Sequence, residues 1–269
     1  MITINQEGII NLWSKTFGDT HEYVEGFIDA FSDKAEFLTK EVNSETASML
    51  CMIECSLSGR KGKYIYACAT DEKYKKSGFM TELLEKAKDK AQKDGYDFLV
   101  LVPATKPLFD YYEKRGYKTF LKAKEIKVSS KILKILSKGE VSKSEADAKK
   151  INEMRKAFLT KSPAVMWTDE QMSFLIKNYD KVLYSENIGY AFLREENNTV
   201  FIDEICADNK HFCEMLKLIS DNTEADNYCF YVPMDCPFTT DNFEIKNKGM
   251  ILSFENSVEK EGYIGLQME

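Results

Sequence analysis

Apolar and polar positions alternate along this chain with two periods, one helical and one of strands. In "NQEGIINLWSKTFGDTHEYVEGFIDAFSD" the residues Ile9, Ile10, Leu12, Trp13 and Phe17, then Tyr23, Val24, Phe27, Ile28 and Phe31, recur at helical spacing. Two amphipathic helices are predicted, broken near Gly18-Asp19, with Asp19 or Thr20 capping the second. "AEFLTKEV" and "ETASMLCMIECSL" read as strands joined at the turn-prone Asn43-Ser44, and the polar turn "SGRKGK" leads into a buried strand, Tyr64–Thr70. Met80, Leu83, Leu84, Ala87 and Ala91 then form one stripe of a helix that Gly95 ends. "YDFLVLVPA" is a nearly continuous apolar run, as in a strand covered on both faces. Strand, helix and strand with this crossover length predict a right-handed parallel unit. Thr105 to Arg115 follows as a short helix with Pro107 in its first turn and Gly116 as its stop. "YKTFLKAKEIKV" returns as a strand.

The composition then shifts to "SSKILKILSKGEVSKSEADAKK", a charged and largely helical connector, which places a domain boundary near Leu121 to Lys131. Two domains are expected, residues 1–122 and residues 123–269. The second half repeats the first in weakened form: "IGYAFLRE", "ENN", "TVFIDEICA", "HFCEMLKLIS" and "NYCFYVPM" keep the order strand, turn, strand, helix, strand. Both copies close a strand on Val-Pro, Val102-Pro103 and Val232-Pro233, about 130 residues apart. Both halves are therefore α/β (α+β) units in which helices flank a mixed central sheet.

Composition narrows the function. A chain of 269 residues with 43% apolar content buries proper cores. The formal net charge of −7 argues against a nucleic acid or an anionic membrane as partner, since such binding spreads lysine and arginine over a broad surface. With neither a leader-like opening nor a run of about 18 apolar residues, the chain reads as cytoplasmic. The seven cysteines are odd in number, lie mostly in apolar runs and lack CxxC spacing, so they read as reduced core or near-core thiols with no metal. The Asn197-Asn198-Thr199 sequon is expected to be a turn-rich loop.

Candidate chemistry sits in "YIYACATDEKYKKSGFMTELLEKAKDKAQ", where a strand breaks into a lysine-rich loop, meets Gly78 and turns into a helix. The first amides of a helix have no partner inside it and carry the positive end of its dipole. Gly78 lets an anion approach that backbone, and Lys73, Lys75 and Lys76 add charge, so the loop suits a pyrophosphate. Neither the dinucleotide G-x-G-x-x-G fingerprint nor the nucleotide P-loop is present, which disfavours NAD and ATP.

Lys75-Lys76-Ser77-Gly78-Phe79-Met80 resembles the Arg/Gln-x-x-Gly-x-Gly/Ala motif of the GNAT acyl-CoA-dependent N-acyltransferases, with Lys75 for Arg or Gln and Met80 for a small residue. "LFDYYEKRGY" is similar to the family's "FYEKLGF" element. The resemblance covers residues 1 to 122 well and the remainder loosely, where it points to tandem GNAT proteins, including the enhanced intracellular survival type, with a degenerate second unit. It implies a GNAT fold, acetyl-CoA as co-substrate with no metal, and direct transfer of the acetyl group to a primary amine of a small molecule or peptide. Lys75, Lys76, Ser77, Gly78, Phe79 and Met80 would bind the CoA pyrophosphate, and Cys68, Ala69 and Thr70 the pantetheine arm. Tyr112 falls on the tyrosine that protonates the leaving thiolate, which suits a phenol with a reference pKa near 10 against a thiol near 8.5. Tyr111 is expected to pack.

The acceptor amine must lose a proton before it attacks. Glu54, Glu204 and the C-terminal carboxylate of Glu269 are candidate bases, beside a water relay. His21 and His211 read as surface or capping residues, and Cys68 lacks the partners of a nucleophile. The loop "DNKHF" of the second copy has no glycine and is expected to bind no CoA. A non-catalytic acyl-CoA-binding module is the alternative, and an aminoacyl-tRNA-dependent transferase would need a basic groove the chain does not advertise. Assembly as a homo-oligomer is left open.

Overall fold

A computed structural model of the chain describes residues 5–31, 34–159, 163–186, 188–236, 238, 243–254 and 261–267. They group into two units, Met1–Thr119 with Met250–Glu259 and Phe120–Gly249 with Lys260–Glu269.

The first unit opens with helices α1 (Gln6–Phe17) and α2 (His21–Ala30). Thr20 caps α2 by accepting from the Tyr23 amide, while Asp19 accepts from Trp13 Nε1 at 2.7 Å. Strands β1 (Ala35–Val42), β2 (Glu45–Leu57) and β3 (Arg60–Thr70) form an antiparallel meander. Its turns place Asn43, Ser44 and Ser58 in the left-handed region beside Gly59, as two-residue hairpins on twisted strands require. The turn expected over "SGRKGK" is thus confined to Ser58-Gly59, because Arg60–Lys63 pair with Glu54–Leu57 and extend β3. Helix α3 (Phe79–Lys93) crosses to β4 (Phe98–Leu101), which lies parallel to β3 from Gly62↔Phe98 to Ile65↔Leu101. Helix α4 (Lys106–Glu113) follows.

Successive strand residues face opposite sides, so β3 serves two layers. Tyr66 meets Trp13 and Phe27 of α1 and α2, at ring distances of 5.2 and 5.6 Å. Ile65 joins Leu50, Leu83, Leu84, Leu99, Leu101 and Tyr112 in the core beneath α3 and α4. Full burial of each such side chain contributes about 1.5–3 kcal/mol.

In the second unit, β5 (Lys118–Ser129), helices α5 (Ser130–Leu136), α6 (Ala148–Phe158) and α7 (Asp169–Asn178), and strand β6 (Lys181–Ser185) lead into β7 (Gly189–Glu196) and β8 (Thr199–Ala207). Helix α8 (Phe212–Asn222), β9 (Asn227–Val232) and β10 (Glu244–Ser253) as far as Gly249 complete it. The parallel pair β8/β9 repeats β3/β4, with Thr199↔Asn227 through Ile202↔Phe230. Two helices, a meander, a helix and a parallel strand therefore recur in the same order, each time around a mixed sheet.

The strand expected to return at "YKTFLKAKEIKV" pairs through Lys124–Ser129 with Val232–Asn227 and belongs with the second unit beyond Thr119. The last four residues of β10, Met250–Ser253, instead pair antiparallel with β4. The connector is helical over only seven residues of α5 and then irregular until Asp147 caps α6. All seven cysteines are free; Cys213 is exposed, where a core or near-core place was expected. Among the described residues no helix is long and apolar enough to cross a membrane.

Candidate active site

The site begins where β3 leaves β4. Cys51 of β2 faces Tyr66 and Met49 faces Ala69, so Ala67 and Cys68 share one partner residue and bulge. Ala67 is held at φ 48°, and the Cys68 side chain turns toward α4. The parallel ladder stops at Ile65↔Leu101, since the chain after Leu101 runs into Val102-Pro103 and a proline has no amide to donate. Cys68, Ala69 and Thr70 thus continue past the end of β4, with Ser48 Oγ donating to Ala69 O at 3.0 Å and 2.8 Å from Thr70 Oγ1. An open strand edge of this kind offers backbone groups to an extended ligand.

The loop is built from local hydrogen bonds. Asp71 Oδ1 accepts from the Lys73 amide, a 3-10 turn spans Glu72–Tyr74, and Ser77 Oγ donates to Tyr74 O at 2.6 Å. Lys76 and Gly78 both have positive φ, 66° and 88°, which turns the chain into α3. No heavy atom lies within 4 Å of a Cβ built at Gly78, so the helix start is open from that side. The amides of Tyr74, Lys75 and Ser77 have acceptors inside the loop, whereas those of Phe79, Met80 and Thr81 have none among the described residues. These open amides at the positive helix end fit an anion. The expected full charge of the loop is corrected by its pairing: Lys73 is bound to Glu45 and Lys75 to Glu72. Met80 packs into the core beneath α3 and leaves the loop face clear, while Phe79 lies against Tyr74 and Lys40.

Tyr112 is 6% exposed on α4, in the core cluster against which Cys68 packs. Burial pushes the phenol far above its ordinary value, and the neighbouring Cys68 raises it further. Burial pushes the Cys68 thiol up to about 12, against the lowering effect of Tyr112. Tyr112 is thus held as the protonated phenol, the form a proton donor needs. Tyr117 stacks edge-on to it at 5.8 Å, buried and with its hydroxyl lacking a partner among the described residues. Tyr111 packs beneath Arg115.

Residues 5–120 match the family model described as an acetyltransferase (GNAT) domain. This segment is a GNAT domain. A GCN5-related N-acetyltransferase from Kribbella flavida has the same fold over 91% of this chain and 68% of its own, with a TM-score of 0.70 at 15% identity. A probable N-acyltransferase from Enterococcus faecalis V583 gives 0.74 at 14% identity, over 91% and 69%. Eis1 from Mycobacterium abscessus gives 0.64 at 11% identity, over 92% and 71%. These likenesses are of fold and run through both units, so the second half is GNAT-like as well. Comparison with curated proteins yields no match.

Two of the candidate bases have other partners. Glu54 pairs with Lys63 and lies six residues along β2 from the Ser48↔Thr70 pair at the GNAT loop, which is roughly 20 Å at about 3.3 Å per residue. It accepts from Tyr96 Oη at 2.6 Å, and that bond holds its carboxyl below the usual range. Glu204 is fully buried and bound to Arg155 at 2.7 and 3.0 Å and to Tyr190 Oη at 2.7 Å. Both are engaged structurally, and Glu269 lies outside the described residues. His21 begins α2 on the surface, and His211 caps α8 with its amide on Asp208 Oδ1 at 2.9 Å.

In the second GNAT-like unit the matching splay is filled. Just past the last paired residues Ile202 and Phe230, the Tyr263 hydroxyl lies 3.2 Å from Asp203 O and 2.9 Å from Tyr231 O. A Cβ on Gly265 would fall 2.3 Å from that hydroxyl and 2.7 Å from Asp203 O, so only glycine lets the segment lie this close. The chain's own terminal segment bridges the two strands where the first unit leaves β3 open.

Sequence reading did not single out Arg115, Thr81 or Tyr117. The signal was present for Arg115 and Tyr117, which replace the leucine and phenylalanine of "FYEKLGF".

Proposed function

We propose that the protein is an acetyl-CoA-dependent N-acetyltransferase that moves the acetyl group directly to a primary amine of a small molecule or peptide in the cytoplasm. The observation that carries this reading is the buried Tyr112 phenol against Cys68, at the open edge of β3 and within the domain that presents the Gly78 turn. When bound, acetyl-CoA supplies an activated thioester. The loop residues Lys75, Lys76, Ser77, Gly78, Phe79 and Met80 hold its pyrophosphate with backbone amides, and the backbone of Cys68, Ala69 and Thr70 orients the pantetheine arm.

Tyr112 donates its proton to the thiolate that leaves as the amine attacks. Burial raises the Tyr112 phenol, so it is protonated before the reaction and has a proton to give to the leaving thiolate. The amine's proton leaves through water, since Glu54 and Glu204 are engaged elsewhere.

Replacing Tyr112 with Phe should lower turnover by about 10²-fold or more while acetyl-CoA binding stays within about twofold. Unchanged turnover removes Tyr112 from the mechanism. The engagement of both acids favours a second reading, a non-catalytic acyl-CoA-binding module. Such a module would be stabilised by acetyl-CoA without releasing free thiol over a panel of amines, polyamines, aminoglycosides and peptides.

A further inference from the structure

The two parts of the proposed site sit on different elements, the phosphate-facing amides on the first turn of α3 and the phenol on α4. Arg115 joins them. Its Nη1 donates to the Tyr111 carbonyl at 2.5 Å and its Nη2 to Thr81 Oγ1 at 2.5 Å, while the guanidinium lies 3.4 Å above the Tyr111 ring. The Tyr111 hydroxyl closes the triangle at 3.3 Å from Thr81 Oγ1, and the Tyr111 ring stands edge-on to Tyr112 at 5.2 Å.

A basic residue that merely capped α4 would need only the bond to the Tyr111 carbonyl. The second bond, to the third residue of α3, has no capping purpose. Its placement is also electrostatically unusual, because it brings a cation to the positive end of a helix dipole. Lys73 and Lys75 are each neutralised by a carboxylate, whereas Arg115 has only neutral oxygens as partners among the described residues, and its Nε is buried without an acceptor. A guanidinium fork held flat on an aromatic ring fixes both direction and distance, which a lysine cannot do.

We propose that Arg115 is a positioning residue that locks the coenzyme-binding turn of α3 to the Tyr112 helix, so that phosphate grip and proton donation are set as one piece. This rests on the reading of the protein as an acetyl-CoA-dependent enzyme. Loss of the lock then loosens both functions at once.

The test is a double-mutant cycle on the full chain with Arg115→Met, Thr81→Val and the pair, measuring the acetyl-CoA dissociation constant by calorimetry and kcat at saturating acetyl-CoA. Arg115→Met should weaken acetyl-CoA about tenfold and lower kcat about tenfold, since small misplacements at a reacting centre are costly. The double variant should be no worse than Arg115→Met alone. Arg115→Lys, which restores charge without the fork, should recover less than half of either loss; full recovery overturns the lock in favour of simple charge. Additive effects, or a drop in melting temperature with both constants unchanged, overturn the proposal while leaving the enzyme reading intact. Should Arg115→Met not fold, Arg115→Gln takes its place in the cycle. A wild-type protein that neither binds nor consumes acetyl-CoA overturns the enzyme reading, and this inference with it.

Discussion

Gly78→Ala separates the structural from the ligand-binding role of the loop glycine. Gly78 sits at φ 88°, where a Cβ costs roughly 1–2 kcal/mol of backbone strain. Nothing within 4 Å would clash with that Cβ, so strain is the whole structural cost. Against a stability of about 5–15 kcal/mol the domain stays folded. The same methyl group would stand in the open space over the first amides of α3. If it keeps a diphosphate from two of them, the loss is about 1.5–3 kcal/mol per charge-assisted hydrogen bond, 3–6 kcal/mol together, or roughly 10²–10⁴-fold in affinity. Urea unfolding followed by fluorescence gives the first quantity, and calorimetric titration with CoA gives the second. A variant that loses the 1–2 kcal/mol and still binds CoA as wild type does would refute the placement of the pyrophosphate at this turn.

Two further outcomes follow from the cores and thiols. Glu204→Ala leaves the fully buried Arg155 without its counter-ion and should cost about 3–5 kcal/mol, read from Trp167 fluorescence during urea unfolding of a Trp13→Phe background; a loss below about 1 kcal/mol contradicts the buried pair. The raised Cys68 thiol stays protonated below its value of about 12, so iodoacetamide between pH 7 and 10 should label exposed Cys213 first and Cys68 only slowly as pH climbs toward 12; equal labelling by mass spectrometry would show that burial does not govern Cys68.

Much of the first unit was legible because its signals are local. The period of Ile9 to Phe17, the apolar strand "FLVL" and the turn at Asn43-Ser44 each depend on residues within a few positions of one another. The glycine loop was legible for the same reason, as strand, Gly78 and helix start are contiguous. Less came from the second half. Helix α7 carries a capping box, Thr168 with Gln171, that sequence reading passed over, and β10 was unforeseen because its alternation is weak from Glu244 to Lys248. The loop lysines looked like available charge, and Glu45 and Glu72 turned out to hold two of them.

By itself the sequence determined the order of elements, the repeat, and the pairing of a glycine turn with a tyrosine helix, since periodicity, turn chemistry and motif spacing are properties of neighbouring residues. Tertiary structure alone decided that Tyr112 meets Cys68, that Arg115 reaches Thr81, that Glu54 and Glu204 are committed elsewhere, and that Tyr263 fills the second splay. Those contacts join residues mostly 32 to 60 positions apart or depend on what burial does to a charge, and neither separation in space nor dielectric is written in local pattern.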